Sequence, residues 1–103
     1  ITDENFDDEV LKSPKPFLLD AWASFCQPCI GFAPHLEKIS EDMSDIITVG
    51  KINVEEQPNI SSNPLAVRAL PSFFLYVGGK MKASRVGATD PETMKQWIKD
   101  NLI

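Results

Sequence analysis

An α/β fold with one mixed sheet held between helices is expected of this chain, and three observations lead to it. Phe17 to Ala23 is almost continuously apolar, which fits a strand covered on both faces, as parallel strands in layered folds are. A helical stretch from Pro28 and a second β-branched run from Ile46 to Val54 follow, so the order is strand, helix, strand. Two more runs flank Gly78-Gly79 and read as an antiparallel hairpin before a last helix, which places parallel and antiparallel pairs in one sheet.

Phe6, Val10 and Leu11 lie at helical spacing in an acidic setting, with Thr2 or Asp3 as N-cap, and Pro14 and Pro16 close this short first helix. From Pro28 onward Phe32, Leu36, Ile39 and Met43 form one apolar stripe, with Glu37, Lys38, Glu41 and Asp42 on the other side. Pro34 lacks the N–H that would bond the Ile30 carbonyl, so a kink is expected one turn after Cys29. Ile46 to Val54 is the second core strand, Gln57 to Pro64 reads as turn and loop, and Leu65 to Arg68 as a short helical piece before Pro71. Ser72 to Val77 and Met81 to Gly87 are the hairpin strands. Thr89-Asp90-Pro91-Glu92 combines cap, first-turn proline and early acid, and Met94, Trp97, Ile98 and Leu102 give the closing helix its apolar stripe.

At 103 residues the chain is expected to be a single domain over 1–103, because two halves of that length would each bury too little. Its 43% hydrophobic and 24% charged residues suit an ordinary globular core, without a biased tract. A net charge of -5 argues against a nucleic-acid partner, whose phosphates need clustered Lys and Arg. The strongest apolar runs, Phe17 to Phe25 and Leu70 to Val77, fall far short of the roughly 20 residues that span a bilayer. Two cysteines are too few for the disulfide framework of a small secreted domain, so the cytoplasm is the expected compartment. A monomer is the expected state. The chain begins at Ile1 rather than Met, which leaves a removed leader, tag or initiator open.

Those two cysteines stand at Cys26 and Cys29, around Gln27-Pro28, at the start of the second helix. Residues three apart face the same side of a helix with Cβ atoms about 5 to 6 Å apart, close to disulfide separation. So small a loop gains little stability from closure, which makes the bond a poor staple and a ready reagent. A helix N-terminus presents unpaired N–H groups and positive dipole to a thiolate, and Cys26 sits where that field is strongest. Pro28 fixes the first turn and withholds one competing amide, while Cys29, further inward, is expected to be more buried. Two plainer readings remain beside a reactive dithiol: inert buried thiols, or half of a zinc site, which would need four ligands where the chain adds only His35. His35 itself reads as a helix-surface residue. Asp20 stands out separately, because a carboxylate in a nearly all-apolar strand is costly unless paired or neutral, and burial raises its pKa.

Trp22-Ala23-Ser24-Phe25-Cys26-Gln27-Pro28-Cys29, Ala33-Pro34, Arg68-Ala69-Leu70-Pro71-Ser72 and Val86-Gly87-Ala88 resemble, in order and spacing, the signature blocks of the thioredoxin family. The resemblance spans essentially the whole chain. It implies a central sheet with helices on both faces, a cis bond before Pro71, and backbone groups of Leu70 free to pair with an extended substrate. It also implies that Cys26 attacks a protein disulfide and Cys29 resolves the mixed disulfide, with Asp20 taking the proton of Cys29 and Lys51 tuning Asp20. Trp22, Gln27, Pro28, Leu70, Pro71 and Gly87 would contact the substrate.

No bound cofactor and no metal are implied; electrons would come from NADPH through a flavoprotein thioredoxin reductase, and the other partners would be disulfide-containing client proteins. The alternatives are a specialised thiol oxidant or isomerase outside the cytoplasm and a non-catalytic interaction module on the same scaffold. This chain departs from the family's usual pattern at several points. Gln27 replaces Gly, Phe25 replaces Trp, and Ile30 stands where Lys is common, which removes positive charge and adds apolar surface beside Cys26. Gly31 adds a helical glycine at a cost of about 1 kcal/mol against Ala. Only Ile1 and Thr2 stand where the family has its first strand, so that strand is expected to be short or incomplete.

Overall fold

The computed structural model describes residues 1–102. After a π-helical turn, Asp7–Leu11, the elements run β1 (Phe17–Trp22), α1 (Gln27–Asp42), β2 (Thr48–Asn53), α2 (Pro58–Ser62), β3 (Ser72–Val77), β4 (Lys80–Val86) and α3 (Pro91–Asp100). The strands form one sheet in the order β2-β1-β3-β4, with β1 parallel to β2 and antiparallel to β3, and β4 antiparallel to β3. The mixed α/β sheet is therefore as expected.

Strand alternation divides the core into two layers. Leu18, Phe73 and Leu75 face α1 and α3, meeting Phe32, Leu36, Ile39, Met94 and Ile98. Phe17, Leu19, Ala21 and Ile52 face the opposite side, meeting Phe6, Val10 and Leu65. Asp20 shares the parity of Leu18, so its side chain lies on the α1 face. Gly78 and Gly79 turn the hairpin at φ +59° and +82°, the pair of left-handed residues that a two-residue connection demands.

At the N-terminus Thr2 Oγ1 accepts the Asn5 amide at 3.0 Å and Asn5 Oδ1 accepts that of Thr2 at 2.6 Å, so Thr2 caps the turn into the first helix. The Ile1 ammonium donates to the Lys51 carbonyl at 2.8 Å, beside the open edge of β2. At the other end Asp90 caps α3, accepting the Thr93 amide at 2.9 Å, with Pro91 in the first turn. The Lys95 ammonium reaches Asp42 at 2.6 Å and ties α3 to the last turn of α1.

Two local expectations are corrected. Pro58–Ser62, expected as loop, is the helix α2, and Leu65 to Arg68, expected as helical, is irregular. The first correction comes from a cap supplied across the chain: Asp3 accepts the Ile60 amide at 2.8 Å and the Asn59 amide at 3.4 Å, while Gln57 Oε1 accepts the Asp3 amide at 2.8 Å. The second comes from Ala66, whose φ of +50° is closed to a right-handed helix. The helix stops at Asn63 because the residue before a proline is pushed into extended backbone, here φ -153° and ψ 122°. The Asn63–Pro64 and Leu70–Pro71 bonds are both cis.

Asp3 thus holds a five-residue helix that has no side-chain cap of its own. Replacing Asp3 with Ala is expected to cost roughly 1 kcal/mol in urea unfolding, with Asp3→Asn keeping most of the stability. Indistinguishable curves for Asp3→Ala and the parent would contradict the cap.

Candidate functional site

β1 delivers the chain to the site and α1 begins there. Ser24 turns between them, and both its amide and its hydroxyl donate to Glu55 Oε1 at 2.8 Å. These two bonds hold the Glu55 carboxyl below its ordinary pKa, the backbone bond first. Cys26 is then the N-cap of α1, in extended backbone at φ -91° and ψ 102°, and its Sγ accepts the Cys29 amide at 3.2 Å. An N-cap side chain ordinarily takes the second or third amide of the helix. Pro28 removes the second, so the sulfur takes the third.

Cys26 and Cys29 are joined as a disulfide, with Cα atoms 5.3 Å apart. Both are largely covered, at 7% and 4% exposure, and they pack with Ala23, Trp22, Val54 and Leu70. They differ in access. Cys26 lines an open groove of about 800 Å³ and Cys29 does not. Phe25, 70% exposed, forms one wall with Gln27 and Pro28; Pro58 and Ser61 of α2 and the segment Val67 to Leu70 form the other.

Leu70 lines the groove, and its backbone N–H and C=O make no hydrogen bond among the described residues. The next residue, Pro71, is fully buried and its carbonyl accepts the Gly87 amide at 2.8 Å. Gly87 sits at φ +96° with open space where a Cβ would point, so the backbone there is uncovered.

Asp20 is 2% exposed and its Oδ1 has no hydrogen-bond partner among the described residues. Burial pushes its pKa up from 3.8 to about 6, opposed by the charge of Lys51. Lys51 pairs with Asp20 in the β1–β2 register but makes no salt bridge to it; its ammonium lies 5.2 Å from the centre of the Trp22 ring. Trp22, partly buried, packs on the dithiol and does not line the groove. His35 is exposed on α1, with its ring 5.8 Å from that of Phe32.

A cysteine pair at a helix start, one sulfur open to a groove and beside an unpaired backbone segment, is an arrangement for thiol–disulfide exchange. The family model described as Thioredoxin matches residues 1–100. The chain belongs to the thioredoxin family. It is similar to the protein named Thioredoxin from Buchnera aphidicola subsp. Acyrthosiphon pisum (strain APS), at 38% identity over 99% of this chain and 94% of the relative. Thioredoxins from Rickettsia bellii (strain RML369-C) and Acidithiobacillus ferridurans are each 37% identical over 99% of this chain and 96% and 94% of their own lengths. As a thioredoxin-family protein it is a thiol–disulfide oxidoreductase. No helix among the described residues is long and apolar enough to cross a membrane.

The expected site residues gather at one end of the sheet, with different parts to play in its geometry. Gln27, Pro28 and Leu70 line the groove, whereas Trp22 packs on the dithiol and Asp20 and Pro71 are buried and do not line it. Val54, Pro58, Ser61 and Val67 were not singled out in the sequence. Once Pro58–Ser62 is taken as loop, nothing in its pattern marks it as a wall.

The raised pKa of Asp20 has a consequence for stability. Between about pH 4 and pH 6 the folded chain keeps a proton that the unfolded chain has released, so stability falls as pH rises through that window. The loss is on the order of 3 kcal/mol. Asp20→Asn is expected to be more stable than the parent at pH 8, with the difference vanishing near pH 4. Urea midpoints that differ by the same amount at both pH values would refute it.

Proposed function

We propose that this chain reduces protein disulfides with Cys26 as nucleophile and Cys29 as resolving thiol. In the reduced form the Cys26 thiolate attacks one sulfur of a client disulfide. The client S–S bond breaks, a Cys26–client bond forms, and the departing client thiolate takes up a proton. Asp20 removes the proton of Cys29 through water, and the Cys29 thiolate attacks Cys26 Sγ. The Cys26–Cys29 bond forms as the mixed disulfide breaks, so two electrons have passed to the client and two client thiols leave.

The observation that carries the reading is the sulfur of Cys26 at the α1 N-cap, on the groove, next to the unpaired Leu70 backbone. The amide that meets this sulfur in the disulfide is placed to meet the thiolate, where the helix dipole favours negative charge. Leu70 offers a donor and an acceptor to an extended client segment, as a sheet edge does. Asp20, with a pKa of about 6 and an oxygen left unbonded, suits a base that works near neutral pH. Lys51 keeps that pKa from rising further. Trp22, Pro71 and Gly87 shape the docking surface from below and from the side.

Resetting the dithiol needs two electrons per cycle. By family analogy they come from NADPH through a flavoprotein thioredoxin reductase in the cytoplasm, and the chain itself holds no cofactor.

Insulin-disulfide reduction coupled to such a reductase and NADPH tests the assignment. Wild type is expected to turn over, Cys26→Ser to lose at least 100-fold of the rate, as removal of a nucleophile does. Cys29→Ser is expected to accumulate a Cys26–client adduct visible on non-reducing gels. A Cys26→Ser variant with parental rate would overturn the mechanism.

A further inference from the structure

The groove beside Cys26 has a single charged side chain in its lining, Arg68, among residues that are otherwise apolar or uncharged. Arg68 is exposed and makes no ion pair or side-chain hydrogen bond among the described residues. Six cations of this acidic chain are engaged: Lys12 with Asp8, Lys15 with the Ser44 carbonyl, Lys38 and Lys95 with Asp42, and Lys51 and Arg85 over the rings of Trp22 and Trp97; Lys80, Lys82 and Lys99 are without such a contact among the described residues but do not line the groove. The acid nearest in sequence to the groove wall, Glu55, is occupied by Ser24. An unpaired guanidinium is thus left at the place where a client would lie, in a chain whose net charge is -5.

We propose that Arg68 selects clients in which an acidic side chain lies close in sequence to the reacting cysteine, within an otherwise apolar extended segment; this rests on the reductase reading above. Arg68 stands two residues before Leu70. A client strand running antiparallel along this segment brings to Arg68 a residue about two positions from the one paired at Leu70. The forked donors of a guanidinium fit a carboxylate, and the apolar walls of Phe25, Val54 and Val67 reduce the screening of the pair. The remaining charge of the protein opposes an acidic client, so the selectivity is local to the groove.

The test uses peptide disulfides, each a homodimer through one central cysteine, with Glu, Gln or Lys two residues away. Reduction is measured as kcat/KM for wild type, Arg68→Gln and Arg68→Glu. Lys80→Glu serves as a control of equal charge change, placed in the hairpin at the end of the sheet away from the dithiol. Because the peptides are common to all four proteins, their intrinsic reactivity cancels in the comparison. The Glu-to-Lys preference ratio is expected to fall about threefold in Arg68→Gln and about tenfold in Arg68→Glu, and the differences should shrink in 0.5 M salt. Lys80→Glu should leave the ratio within a factor of 1.5. A ratio unchanged by Arg68→Glu, or changed equally by Lys80→Glu, would overturn the proposal while leaving the reductase reading intact. Failure of wild type to reduce any peptide would overturn both.

Discussion

The first amides of an α-helix have no acceptor within the helix, and in α1 that shortage is met by sulfur. Cys26 Sγ takes the Cys29 amide at 3.2 Å, Pro28 has no amide to offer, and the Cys26 carbonyl already accepts Ile30 at 3.2 Å. The rest of the site is arranged around this cap. The apolar stripe of α1 must lie on Leu18 and Phe73, which fixes the helix axis over the sheet, and the Ser24–Glu55 bonds fix the turn leading into it. With axis and turn both set, the position of the first sulfur is determined. It falls on the groove, and the second sulfur falls one turn inward.

The same burial that positions α1 places a carboxyl in an unfavourable setting. Asp20 lies on the α1 face of β1, and no side chain among the described residues compensates it directly, since Lys51 makes no salt bridge to it. A structural ion pair would have ended in contact between acid and ammonium. Instead Lys51 turns to the Trp22 ring and influences Asp20 only through the field, which leaves the acid titratable near neutral pH. An uncompensated buried acid destabilises the oxidised fold, and that cost supports the proposed role of Asp20 as a base.

Much of this was legible in the sequence because local patterns dominate it. The continuous apolar run of β1, the 3.6-residue stripe of α1, Gly78-Gly79 and the capped proline start of α3 each carry their own signal, and the sheet follows from their order. Cys26, Cys29 and Asp20 were visible for the same reason, being the wrong residue types for the elements that hold them. The groove was not legible. Its α2 wall depends on Asp3 reaching Asn59 and Ile60 from the other end of the chain, and its second wall depends on Ala66 at positive φ. Neither contact leaves a periodicity, and a five-residue helix gives too few positions for one. In the sequence Arg68 is one residue of a motif; its isolation as the charge in the groove lining depends on how Val67 to Leu70 folds against α1 and α2.

Chemistry and recognition are therefore encoded by separate parts of the chain. The sulfurs, the cap and the acid belong to β1 and α1, whose placement follows from core burial and tolerates little change. Phe25, α2 and the Val67 to Leu70 segment are held by turns, a long-range cap and exposed side chains, which tolerate substitution well. Gln27 and Ile30 stand on the boundary between the two, on the first turn of α1 but facing outward. Changes there alter what the sulfur meets without moving the sulfur, because the Cys29 amide and the α1 stripe still set its position. On the proposed reading, such a division lets one exchange reaction serve different clients, with the partner selected by the groove and the electrons carried by the two sulfurs.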